Sequence, residues 1–338
     1  MKKLFLKLLL LLVPLIIYVS VIYANDIFNV FHYDNIRKTD ASSDDNYIKT
    51  RYILEHPDKY NAFILGSSRV ANLPAEGLPT SIDGDELSWY NMTYPMGCPQ
   101  DNLETLKTFI KNGVSIRSVV IGIDEISMYR TYSDNAQELM YRQYQEYKNS
   151  PLKYYYSYLT VKPDFALLKK AYSQTPSDRE NIAMYYSYGV ELPNCDTSYP
   201  SEAGPMVSSL GCSNYSGSEA IDAIKELVTL CREHDIQLKV FTSPVLETTY
   251  REAAEKGYLD FLKDVSECTD FYNFSGLNEY STEMRYYFDA SHYRPYVGLE
   301  MERIMYDLTP NSDVTSFGAY INSENIDDLI KRLEKELL

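Results

Sequence analysis

Three residues of this sequence have the types and spacing for joint chemistry: Ser68, Asp289 and His292. The apolar run Ala62 to Leu65 stops at Gly66-Ser67-Ser68, with Arg69 directly after it. A serine hydroxyl at such a strand-to-turn junction becomes a nucleophile only when a base takes its proton. The chain has only 4 histidines, so the search for that base is short. His32 follows an N-terminal apolar segment, His56 precedes a proline in a polar stretch, and His234 closes a predicted helix, where a cationic residue is favoured anyway. His292 differs: it lies in YYFDASHYRPYVG, with Asp289 three residues before it. In a turn, that spacing lets the carboxylate reach one imidazole nitrogen and leaves the other facing a nucleophile. Bland readings compete with this one. Ser67-Ser68 can be a helix cap worth about 0.5–2 kcal/mol, and Asp289 with His292 can be a surface Asx turn.

Positioning such residues requires a scaffold, and the pattern of apolar runs supplies one. Strands are expected at Ala62–Leu65, Leu87–Met92, Ser118–Ile123, Leu238–Phe241 and Phe271–Phe274. Helices are expected around Leu103, Leu106 and Ile110, from Ser218 to Glu233, from about Val297 to Asp307, and from Asn325 to Leu338. Strands alternating with helices imply an α/β fold with a doubly wound, mostly parallel sheet, a three-layer arrangement of the flavodoxin kind. Ligands in such sheets sit outside the carboxyl ends of the strands, where Gly66-Ser67-Ser68 falls. Between the third and fourth strands the alternation breaks. There, residues 129–215 read as an insertion, with 14 tyrosines between Tyr129 and Pro200. Tyrosine offers a flat apolar face and a polar tip, so these residues are either packing or a platform for sugar rings.

The chain has 338 residues, a net charge of −16 and 45% hydrophobic residues. That is enough for a large core, and the acidity argues against a duplex-binding surface, so no nucleic acid is expected as a partner. Lys2, Lys3 and Lys7 precede an uncharged apolar stretch, Leu8 to Ala24. The stretch is near the ~20 residues that span a bilayer, and the flanking lysines keep the N-terminus cytoplasmic. Residues 1–24 are therefore expected to be an uncleaved signal anchor, with a cleaved signal peptide as the rival reading. On this reading 25–60 form a stalk, 61–310 the α/β domain with its insertion, and 311–338 a C-terminal amphipathic helix. The 5 cysteines show no metal-like spacing, and neither metal nor cofactor is expected. Cys195 and Cys212 flank a Pro/Ser/Gly-rich loop and are either a disulfide or free thiols.

Gly-Ser-Ser after the first strand, with Asp-x-x-His near the C-terminus, resembles the first and last blocks of the SGNH hydrolase superfamily. Behind a single N-terminal membrane segment it is similar to membrane-anchored extracytoplasmic acyltransferases such as the teichoic-acid D-alanine transfer proteins. The resemblance covers roughly residues 60–310 outside the insertion. It implies Ser68 as nucleophile, His292 as base and Asp289 as its orienter. It implies oxyanion donors near Ser67, Arg69 and either Met96 or Gly97. Asp124 stands where the family carries an Asn donor, and an ionised carboxylate cannot donate. The implied activity is extracytoplasmic O-acyl transfer, acetyl or D-alanyl, to a cell-surface polysaccharide or teichoic-type polymer. The donor partner would be a membrane-bound O-acyltransferase. The alternatives are an esterase deacylating surface glycans, or a non-catalytic glycan-binding scaffold.

Overall fold

The computed structural model describes residues 2–26, 30–31, 45–136, 144–159, 165–173, 196–202, 204–215, 217–307 and 309–338. Among the described residues eight strands form: β1 (Ala62–Leu65), β2 (Ser81–Ile82), β3 (Asp85–Glu86), β4 (Trp89–Asn91), β5 (Ser118–Ile123), β6 (Gln237–Thr242), β7 (Phe271–Asn273) and β8 (Ala319–Ile321). Six of them make one sheet in the order β4-β1-β5-β6-β7-β8. β4, β1, β5, β6 and β7 run parallel, and β8 pairs antiparallel with β7. The chain leaves β1 for one side, returns to β5 on the other, and then proceeds outward. This places the reversal of strand order at β1, where a doubly wound sheet opens a crevice. The α/β class with a mostly parallel sheet is as expected. The sequence pattern did not announce β8 or the short β2–β3 hairpin, and the expected strand Leu87–Met92 shrinks to β4.

Alternation along the strands divides the core. Phe63, Leu65, Val119, Ile121 and Val240 face one side, against helices α3 (Pro99–Lys111), α9 (Ser218–Glu233), α11 (Tyr258–Ser266) and α13 (Ile326–Leu337). Ala62, Ile64, Val120 and Phe241 face the other, against α12 (Pro295–Met305) and the tyrosines Tyr287 and Tyr293. Strands buried on both faces must be apolar throughout, and SVVIGI at β5 shows this. Leu329 and Leu333 of α13 are fully buried, and β8 adds a strand to the sheet, so both core and sheet continue past residue 310.

The remaining helices are α1 (Lys2–Asn25), α2 (Asp45–Glu55), α4 (Glu125–Tyr129), α5 (Tyr132–Ala136), α6 (Tyr144–Tyr147), α7 (Pro151–Leu159), α8 (Phe165–Ser173) and α10 (Glu247–Glu255). α2 lies within the expected stalk, yet its Tyr52 and Ile53 join the main core. Its Tyr47 stacks on Tyr154 of α7, ring centroids 3.5 Å apart, inside a cluster that includes Tyr147 and Tyr158. These insertion tyrosines are therefore packing. Tyr156 and Tyr199 remain exposed.

In α1, side chains are described from Leu10 onward, and most of the large apolar ones as far as Tyr23 are exposed. Among the described residues no helix is long and apolar enough to cross a membrane. Cys195 and His32 lie outside the described residues, and with Cys195 the question of a Cys195–Cys212 pair.

Candidate active site

β1 delivers the nucleophile segment to the carboxyl edge of the sheet. Gly66 follows it with φ of 139°, a conformation that side-chain-bearing residues rarely adopt. A Cβ there would stand 2.7 Å from Val70 Cγ2 and 2.9 Å from the Gly122 carbonyl. Ser68–Val70 then turn as a single 3-10 unit capped by Ser67, whose Oγ accepts from the Arg69 N–H at 3.2 Å. Ser67 is thus the cap, and the Ser68 hydroxyl takes no part in it.

Ser68 Oγ lies 2.9 Å from His292 Nε2. On the far side of the ring, Nδ1 is 2.9 and 2.8 Å from the two carboxylate oxygens of Asp289. Burial acts to raise the Asp289 pKa. The His292 hydrogen bond and charge, with the N–H groups of Ser291 and His292, outweigh it and hold the carboxyl at about 2. An ionised carboxylate only accepts, so Nδ1 carries the ring hydrogen and Nε2 is the acceptor that faces the serine. The structure brings Ser68, Asp289 and His292 together as one hydrogen-bonded chain.

Two residues 224 positions apart need strong ties to keep a 2.9 Å contact. Asn72 Nδ2 donates to the Tyr293 carbonyl at 2.9 Å, from a buried position. Gly298 of α12 lets that helix close on the Asn72 carbonyl, 2.6 Å from where a Cβ would be. Arg69 is buried, with Nε 2.5 Å from Glu125 Oε1 and Nη2 3.4 Å from Ser291 Oγ. Burial opposes the Arg69 charge, but Glu125 and Asp124 outweigh it and raise its pKa. Its guanidinium is thus a strut between the Ser67–Ser68 turn, α4 and the histidine loop.

The other expected donors are also engaged. Asp124 caps α4 in a reciprocal capping box with Ser127, and its Oδ2 accepts from Ser67 Oγ. It supports the turn as an acceptor. The Gly97 N–H donates to the Tyr94 carbonyl at 3.1 Å, closing a turn in which Met96 holds φ of 59°. Gly97 matters by its missing side chain, since a Cβ would lie 2.5 Å from the Gly66 carbonyl. Among the described residues the Ser68 N–H has no acceptor.

Comparison of the chain with protein-family models and with curated proteins finds no match for either. The site is therefore read from its own geometry.

Sequence reasoning missed two residues that shape this geometry. Glu125 carries no local signal, because its partner Arg69 is 56 positions away. Asn135 of α5 is fully buried and donates to the Met96 carbonyl at 3.1 Å and to Asp101 Oδ2 at 2.6 Å. It pins the Met96–Gly97 turn to α3, a task that the tyrosines around it in the sequence conceal. The return arm of the insertion passes the histidine loop, where Tyr199 meets Tyr286 and Tyr296 at centroid distances of 6.1 and 5.4 Å.

Proposed function

We propose that this chain is a membrane-anchored serine acyltransferase of the cell envelope, active outside the cytoplasmic membrane. The observation that carries the chemistry is the Ser68–His292–Asp289 hydrogen-bonded chain at the sheet's switch point. His292 Nε2 takes the Ser68 proton as Oγ attacks the donor's acyl carbonyl. The tetrahedral oxyanion meets the Ser68 N–H, and the leaving group departs with the proton from His292. The acyl group is then an ester on Ser68. An acceptor hydroxyl gives its proton to His292 and attacks that ester, and the returned proton restores Ser68. Asp289 holds the ring tautomer and steadies the imidazolium.

Anchoring is supported by the helical course of α1 and by the apolar residues Leu8 to Ala24 behind three lysines. A tether suits an enzyme whose acyl donor arrives through the bilayer from a membrane-bound O-acyltransferase. The acceptor is a cell-surface polysaccharide or teichoic-type polymer, with acetyl ahead of D-alanyl as the acyl group. One observation favours a second reading, hydrolysis. The His292 and Asp289 side chains are 25% and 44% exposed, so water can reach the acyl-enzyme. Ester content of envelope polymers in wild type, a deletion strain and Ser68→Ala decides between them. Lower esterification in both mutants is expected; higher esterification overturns transfer in favour of an esterase.

A further inference from the structure

The loop that presents His292 is a small antiparallel ribbon. Tyr287 bridges Tyr293, the Phe288 N–H donates to the His292 carbonyl at 2.8 Å, and the Arg294 N–H donates to the Tyr286 carbonyl at 2.8 Å. Side chains alternate across such a ribbon. Tyr287 and Tyr293 take the inner face and are fully buried. By that alternation His292, Phe288 and Arg294 fall on the other face, and on it His292 meets Ser68. Arg294 lies two positions from His292, about 6.6 Å along an extended chain.

Arg294 differs from the arginines of this molecule that pair with a carboxylate. Its guanidinium carbon lies 4.5 Å from the centroid of the Phe288 ring, a cation–π contact. In a chain of net charge −16, Arg69, Arg117, Arg251, Arg303 and Arg332 each pair with a carboxylate. Among the described residues Arg294 pairs with none, and its Nε is buried without a hydrogen-bond partner. Leaving a buried donor of a charged group unmatched costs free energy that an anionic ligand would recover. The guanidinium fork fits a carboxylate or phosphate through two parallel hydrogen bonds.

We infer that Arg294 is a substrate-binding residue that holds a phosphate or carboxylate of the acceptor polymer beside Ser68. This rests on the acyl-transfer reading and narrows it: the acceptor is a polyanion, and its anionic group sits one short step from the hydroxyl that receives the acyl group. Arg294 then sets specificity while Ser68, His292 and Asp289 do the chemistry.

The test uses the full-length chain carrying Ser68→Ala, which cannot turn over. Fluorescein-labelled poly(glycerol phosphate), oligogalacturonate and neutral dextran oligomers are the probes, read by anisotropy at two salt concentrations. Expected is salt-sensitive binding of at least one anionic probe, tighter than the dextran, that weakens roughly 10- to 100-fold in Arg294→Gln. The tighter of the two anions identifies whether the group is phosphate or carboxylate. Arg294→Lys keeps stem and charge but lacks the fork, and is expected to bind between the two. Unchanged binding in Arg294→Gln, equal binding of dextran, or Lys binding as tightly as Arg overturns the inference. Fluorophosphonate labelling of Ser68 in the otherwise native chain reports the acyl chemistry separately. Its failure sinks the acyl reading and leaves the anisotropy answer about Arg294 standing.

Discussion

The nucleophile turn and the histidine turn meet at one hydrogen bond, yet they are held in opposite ways. The first is deep and over-determined: Ser67 and Arg69 are 1% and 4% exposed, and their partners come from β5's end, α4 and the far loop. The second is rooted in the core by Tyr287 and Tyr293, but its two working side chains are half-exposed and held by each other. Asp289 accepts from the N–H of Ser291 at 2.8 Å and of His292 at 2.9 Å, so one carboxylate folds its own turn and orients its own base. Attack needs a nucleophile that does not wander, which long-range burial provides. Proton transfer needs a ring held in one tautomer near solvent, which a short-range carboxylate provides. The difference predicts that damage to the first turn is felt in stability, and damage to the second mainly in rate.

The largest effect is expected from Arg69→Met. It leaves Glu125 as an uncompensated buried charge and frees Ser291, so unfolding free energy should fall by about 3–5 kcal/mol in a denaturant titration. Adding Glu125→Leu should recover most of that loss, since an apolar pair of similar volume replaces the ion pair. Rate should stay impaired, because the strut to the histidine loop is still missing. Recovery of both would show that Arg69 does nothing for the site.

Asp289→Asn should reverse the pattern. Turnover of an activated ester should drop roughly 10²–10⁴-fold, with a loss of stability at neutral pH smaller than that of Arg69→Met. The pH dependence follows from the depressed carboxyl. Its contribution to stability is fully present above the unfolded value of about 3.9 and is lost as pH falls toward about 2. Stability measured between pH 5 and 8 should therefore carry no slope from Asp289, and the Asn variant should lie below wild type by a constant amount there, the gap closing in the acid limb.

The smallest effect is expected at Asp124→Asn. The amide still accepts from the Ser127 N–H, but it forfeits one carboxylate acceptor for Ser67 Oγ. A loss of about 1–2 kcal/mol in thermal or chemical unfolding is expected. A loss as large as that of Arg69→Met would mean that Ser67, and not the ion pair, anchors the turn.

Legibility in the sequence followed the same division. Asp289 and His292 are three residues apart, so their geometry is a property of one turn and could be read directly from DASH. β5 and α9 were legible because a buried strand and an amphipathic helix write their periods into consecutive residues. The roles of Arg69, Gly97 and Asp124 were not. Each depends on a partner elsewhere in the chain, Glu125 and Ser291, Gly66, and Ser67 respectively, and no local pattern records such pairings. β8 was hidden for a related reason: an edge strand of three residues is too short to show a period. The tyrosines of the insertion were ambiguous because the same side chain serves as packing in Tyr154 and as exposed surface in Tyr156.

The central claim is that Ser68 is a nucleophile activated by His292. The most direct measurement is covalent labelling of the full-length chain with a fluorophosphonate, the modified residue located by peptide mass spectrometry. The account predicts a single adduct on Ser68, absent from Ser68→Ala and slowed at least ~100-fold in His292→Ala. Labelling that persists in Ser68→Ala, or that proceeds unslowed without His292, would contradict it.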